Sequence, residues 1–373
     1  MNIGRTDTSV LGRWWWTVDR WTLTALILIA AIGAVLTLAA SPPAAERIGL
    51  DTYHFARRQF VYLPLALMVM VGASLISVRG VRRLSTVVFA GAVLLMVAVL
   101  LFGAEIKGAT RWIQIGSISL QPSEFIKPSF AVLSAWMFAE QRLDGRFPGI
   151  AIATGLFVCV AFLLLMQPDV GMTIVVSAIW AVQFFVAGLP LAWVAIIAAV
   201  FMGAGIGAYF TFDHVQSRID RFFDPSAGEG YQVMQGLEAF RNGGLFGRGP
   251  GEGEIKAVLP DAHTDFVFAV AGEEFGLLVC LLIVVLFAFV VLRGFARILK
   301  EENLFIVLAV AGLLVMFGLQ AIINMASAIH LMPPKGMTLP FISYGGSSII
   351  ALALTMGIVL ALTRSRPGQG ADQ

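Results

Sequence analysis

Long apolar runs separated by short polar breaks dominate the chain, and one long polar stretch interrupts them. A bilayer core of about 30 Å takes about 20 apolar residues as a helix. On that ruler the runs at 22–41, 60–78, 85–102, 123–139, 149–166, 170–188, 190–212, 266–292, 304–330 and 346–363 predict ten membrane-spanning helices. The stretch from Val170 to Phe212 carries no charge over 43 positions, and at ~1.5 Å per residue one helix would be about twice the membrane thickness. It must turn, and Gly188-Leu189-Pro190 is the natural hinge. The expected fold is an all-α polytopic membrane protein, one domain over 1–373, with tails at 1–21 and 364–373 and a large loop at 213–265.

Composition agrees with that pattern. The chain is 58% hydrophobic and 13% charged, against roughly 25% charged in soluble domains. A net charge of +2 with scattered basic residues argues against a nucleic-acid partner. Cys159 and Cys280 lie inside apolar runs and read as small buried hydrophobes, and no Cys/His metal spacing occurs. Trp14-Trp15-Trp16 and Asp19-Arg20 precede an apolar run too long for a cleavable signal, so the first span is expected to be retained.

Ten spans put both termini on one side, where 13 Lys and Arg residues gather against six in the short loops opposite. The positive-inside rule then makes the termini cytoplasmic and the 213–265 loop extracytoplasmic. This loop holds nine of the 23 acidic residues and two of the four histidines. It also carries enough apolar residues, Phe222 and Phe240 among them, to lie as amphipathic pieces on the membrane. Its glycine-rich part, Gly243 to Gly253, is neither a Walker nor a dinucleotide motif; flexibility and close backbone approach to a substrate are both open.

Ionisable residues inside spans are costly and need partners. Glu124 and Lys127, three apart, share a helix face, and Asp169 lies at the outer end of another span. A structural triad and a catalytic role both fit them. Glu273 and Glu274 pose the same question in the eighth span, with no partner named by the sequence.

Several strings, in order along the chain, resemble the SEDS family of cell-wall polymerases. They are Lys107-Gly108-Ala109-Thr110-Arg111-Trp112-Ile113, Gln121-Pro122-Ser123-Glu124, Gln167-Pro168-Asp169, Gly230-Tyr231-Gln232, Ala262-His263-Thr264-Asp265-Phe266 and Leu339-Pro340-Phe341-Ile342-Ser343-Tyr344-Gly345-Gly346-Ser347-Ser348. The opening Trp14 to Arg20 is similar to the division branch of Gram-negative bacteria rather than the elongation branch. The resemblance implies a peptidoglycan glycosyltransferase that polymerises lipid II outside the bacterial inner membrane, at the division septum. It also implies a class B penicillin-binding protein and other division proteins as partners, and makes Asp265 catalytic.

The chemistry is compatible. A glycosidase needs two carboxylates because its leaving group is poor, whereas a lipid diphosphate leaves readily, so one base and some cations suffice. Asp265 at the mouth of the eighth span is the candidate base. The plainer alternative is that Thr264 or Asp265 caps that helix. Asp261 is the runner-up base, and His263 could orient Asp265 or titrate. Lys107 and Arg111 could clamp the diphosphate, with Trp112 lying on sugar or isoprenoid, although interfacial anchoring explains them equally. Ser343, in a non-helical outer loop expected to pack under the long one, is a further supporting candidate, alongside Glu124, Lys127 and Asp169. A divalent cation, Mg or Mn, is left open. The competing classes are a lipid II flippase, for which inverted repeats are wanting, and a division scaffold, which leaves the intramembrane charges unexplained.

Overall fold

The computed structural model describes residues 9–103, 110–116, 118–188, 191–211, 216, 220, 230–333 and 336–365. Its order is α1 (Val10–Thr17), α2 (Arg20–Arg47), α3 (His54–Ser74), α4 (Val78–Phe102), β1 (Ile113–Ile115), β2 (Ile118–Leu120), α5 (Pro122–Leu143), α6 (Gly149–Met166) and α7 (Val170–Val186). There follow α8 (Leu191–Thr211), α9 (Gly230–Gly243), α10 (Ile255–Val258), α11 (Val267–Ile298), α12 (Leu304–Ala328) and α13 (Gly346–Leu362).

A helix lies over each apolar interval picked out from hydropathy. Five of them, α2, α4, α6, α11 and α12, are long and apolar enough to cross a membrane by length and composition alone, and α7 and α13 are shorter apolar helices. Several outrun the apolar runs that predicted them. Hydropathy finds only the apolar part, while the backbone bonds continue into charged turns: α3 starts at His54 and takes in Arg57 and Arg58, and α4 starts at Val78 on a Ser77 cap that accepts from the Gly80 N–H at 3.2 Å. The β1–β2 hairpin, turning through Gly116 in the left-handed region, was not expected from the sequence.

The packing is that of a protein in lipid. Phe102, Phe162, Phe210 and Leu292 are exposed, while Gln183, Gln320, Asn324, Glu273 and Glu274 are buried. Apolar side chains outside and polar groups inside are stable only where the surroundings are hydrocarbon. At the centre α12 contacts α5, α7, α11 and α13, and α13 is clasped by α3. Gln183 of α7 ties three helices, donating to Ala131 O at 2.7 Å and Leu308 O at 3.1 Å, and Gly312 leaves room for its amide.

Two expectations need correction. Cys280 is buried but Cys159 is exposed on α6, because an apolar run facing lipid has no reason to bury a thiol; both are free. In the long loop, Phe222 lies outside the described residues, and the described part from 230 packs partly inward. Its α9 turns Ala239 inward against α11, with Phe240 packed on Gly272, whereas Met234, Leu245 and Phe246 stay exposed.

Candidate active site

Asp265 lies in a compact turn just before α11. Asp261 sits in the left-handed region, a conformation aspartate tolerates, and its carbonyl accepts from the N–H groups of Thr264 at 3.0 Å and Asp265 at 3.0 Å. The Thr264 hydroxyl bends back to the same carbonyl at 3.2 Å. The N-cap of α11 is Phe266, whose side chain cannot accept, so the Thr264 hydroxyl is spent on the turn rather than on the helix. Asp261 thus organises the turn through its main chain.

Two neighbours fix this turn from behind. Asn324 of α12, 2% exposed, donates through Nδ2 to the carbonyls of Asp265 at 3.0 Å and Met337 at 2.6 Å. Ser343 donates to Thr264 O at 2.5 Å and accepts from the Leu339 N–H at 2.8 Å. Tyr344 N–H donates to His263 O at 2.9 Å, and the His263 ring stacks on Phe55 with centroids 4.1 Å apart. The loop before α13 is thereby laced to the turn. It reaches deep, since Phe341 and Ile342 lie against α2 at Gly33, where any side chain would collide with their backbone. The Asp265 carboxylate faces Gly336, with Oδ2 3.7 Å from where a Cβ would stand.

The intramembrane charges come together below. Lys127 Nζ lies 2.9 Å from Glu124 Oε2, a close ion pair outside good hydrogen-bond geometry, and donates to Gln320 Oε1 at 2.8 Å. Gln320 in turn donates to Thr338 O at 3.0 Å. A polar chain therefore runs from the buried pair to the loop that borders Asp265. Asp169 caps α7, accepting from the Met172 N–H at 3.2 Å, and meets Arg111 Nη1 at 3.6 Å. Arg111 also donates to Gln167 O at 2.9 Å and to Pro168 O, so its guanidinium is engaged by the α6–α7 corner. Trp112 beside it is half-buried, and Lys107 lies outside the described residues.

Glu273 and Glu274 find their partners in the glycine-rich part of the loop. Glu274 pairs with Lys256 at 2.5 Å and accepts from Gly251 N–H at 3.0 Å; Glu273 accepts from the N–H groups of Glu254 and Ile255, at 3.0 and 3.2 Å for Oε1. Gly243 and Gly247 press on the backbone of Gly272 and Glu274, and α11 kinks at Gly276, itself with positive φ, to receive them. The close approach that glycine permits is made to α11. Sequence reasoning missed Gln320 and Asn324, although two amides four apart in an apolar span were a visible signal.

Residues 19–367 match the family model described as cell cycle protein, which groups FtsW, RodA and SpoVE. A relative from Caulobacter vibrioides named "Probable peptidoglycan glycosyltransferase FtsW" is 46% identical over 98% of this chain and 94% of its own length. Another so named, from Escherichia coli, is 33% identical over 92% of this chain and 85% of its own length. A solved chain from a peptidoglycan synthase complex aligns with a TM-score of 0.76 at 29% identity, covering 93% of this chain and 97% of that one. The rod shape determining protein RodA of Thermus thermophilus aligns with a TM-score of 0.69 at 29% identity, over 94% and 97% of the two chains. This chain belongs to the family of FtsW, RodA and SpoVE, the one its motifs resemble.

Proposed function

We propose that the protein, an integral membrane peptidoglycan glycosyltransferase like the relatives it matches, polymerises lipid II with Asp265 as general base. The acceptor GlcNAc 4-hydroxyl attacks the anomeric carbon of the donor MurNAc. The new C–O bond forms as the bond to the lipid diphosphate breaks, the diphosphate takes the electron pair, and the hydroxyl proton passes to Asp265. The observation that carries this reading is the anchoring of Asp265 through its main chain, by Asn324 and the Asp261 turn. Such anchoring fixes where the side chain stands.

The same reading puts the turn on the extracytoplasmic face and both termini in the cytoplasm, supported by the Lys and Arg balance. Septal action follows from the division-type relatives. A transpeptidase of the class B penicillin-binding type is the expected partner, in line with a neighbour from a complex concerned with polymerization and crosslinking. Among the described residues no three His, Cys, Asp or Glu side chains converge. A divalent cation bound here would take oxygen ligands, which Asp265 or Asp261 could supply, and would offset charge on the diphosphate.

The test is polymerisation of lipid II by the purified protein with its transpeptidase partner, comparing wild type, Asp265→Asn and Asp261→Asn. Asp265→Asn is expected to lose about 100-fold or more. Asp261→Asn, a residue equally at ease in the left-handed region, is expected to keep most activity. Equal polymer from wild type and Asp265→Asn would refute the assignment.

A further inference from the structure

A leaving diphosphate needs donors, and most described cations on the outer side are already engaged. Arg57 pairs with Asp51, Arg111 with Asp169, Arg248 with Glu254 and Lys256 with Glu274, while Arg47 donates to Ala257 O. Arg241 is exposed on α9. Arg58, half-buried one turn into α3, differs from all of these: its partner is the neutral Tyr344 hydroxyl. Tyr344 belongs to the segment that binds the Asp265 turn, and its ring lies 5.0 Å from Phe55, one helical turn from Arg58.

The hydroxyls nearby are donors too. Burial pushes the Tyr344 phenol above its ordinary range despite Arg58, so it keeps its proton at neutral pH. Having accepted from Arg58, it still has that proton to give. Tyr62, one turn further along α3, lies against Gly346 with its ring 2.8 Å from where a Cβ would stand. Arg58 itself has five N–H donors and no acceptor. At ~1.5 Å per residue Arg58 and Tyr62 lie roughly 6 and 12 Å below the outer start of α3, the depth of lipid headgroups.

Below Arg58 the same side of α3 turns apolar and faces outward. Val61, Leu65 and Met68, at spacings of three, seven and ten from Arg58, are 67%, 40% and 64% exposed. A cation with two hydroxyls above an open apolar stripe has the polarity of an anionic lipid, and the anionic lipid this reaction releases is a polyisoprenoid diphosphate. We propose that Arg58, Tyr62 and Tyr344 seat the diphosphate of the lipid-linked substrate, with its chain running down the Val61–Met68 face. This rests on the glycosyltransferase reading and adds the place where the leaving group sits.

The probes are undecaprenyl diphosphate, undecaprenyl monophosphate and phosphatidylglycerol, offered to the full-length protein in nanodiscs and read by native mass spectrometry. Wild type is expected to retain the diphosphate at least tenfold over phosphatidylglycerol, and Arg58→Gln to lose most of that preference. Arg58→Lys keeps the charge without the planar fork and should fall between; it also serves if Arg58→Gln does not fold. No preference over phosphatidylglycerol in wild type would make Arg58 a general headgroup anchor and overturn the proposal. So would unchanged binding by Arg58→Gln in a protein that still polymerises lipid II. Failure of wild type to polymerise at all would instead remove the underlying reading.

Discussion

Two aspartates at opposite ends of the helical bundle are held in opposite ways. Asp19, 2% exposed, is gripped by its carboxylate: Arg293 donates at 2.7 and 2.8 Å, Arg297 lies at 2.9 Å, and Thr22 donates at 2.8 Å. Asp265 is gripped by its main chain, through its N–H to Asp261 and its carbonyl to Asn324. The first arrangement commits the carboxylate to joining α2 and α11, near where Arg364 donates to Thr17 and ties the C-terminal segment to the N-terminal one. The second sets where a carboxylate stands through the backbone on either side of it. Function and stability should therefore separate between the two residues.

The largest expected effect follows at once. Asp265→Asn should abolish polymerisation, about 100-fold or more, with little change in thermal unfolding. Asp19→Asn should keep turnover in the protein that folds while lowering its melting temperature. Paired activity and unfolding measurements check this, and a destabilised Asp265→Asn would erase the contrast.

The buried pair below the site comes next. Lys127→Met strands Glu124 in a low-dielectric interior and should cost about 3–5 kcal/mol, since an unpaired buried charge is worse than no charge. Adding Glu124→Gln should restore most of the folding yield. If the double variant folds but polymerises poorly, the chain through Gln320 to Thr338 transmits more than stability.

Asn324→Leu should have a smaller effect on folding, about 1–3 kcal/mol for two carbonyls left without a donor. Because the Asp265 turn would shift rather than lose its base, the expected sign is a fall in kcat with nearly unchanged KM. Asn324→Gln, which keeps the donor on a longer arm, should recover part of it. A change in KM alone would detach Asn324 from the placement of Asp265.

The sequence made the helices legible wherever apolar runs were long, as at α11 and α12, and marked Asp265 and Ser343 as candidates through their motifs. The pairing of Glu124 with Lys127 followed from helical spacing. What stayed hidden depended on contacts between distant segments. Nothing local links Glu274 to Lys256, or marks Gly243 and Gly247 as places where a loop presses on α11. The short β1–β2 hairpin was masked because three-residue strands carry too little alternation to register. Arg111 looked available because its partners, the carbonyls of Gln167 and Pro168, are main-chain groups that no side-chain pattern announces.

The smallest effect concerns Asp19 and acid. Burial alone would raise its carboxyl, but Arg293, Thr22 and Arg297 together outweigh burial and hold it below the ordinary aspartate range. A carboxyl depressed in the folded state binds its proton more weakly there than in the unfolded chain. The stability it contributes is thus fully present above the unfolded value, roughly pH 4, and is lost as pH falls through the folded one. Thermal unfolding of wild type and Asp19→Asn in detergent should differ by a constant amount from pH 7 to about 5 and converge below about pH 4. Since Arg293 and Arg297 are each about a third exposed, at 31% and 30%, solvent weakens both pairs and the gap should be modest, on the order of 1 kcal/mol. Two melting curves that stay apart down to the lowest pH would show that Asp19 matters for its shape and not its charge, and the contrast with Asp265 would then rest on catalysis alone.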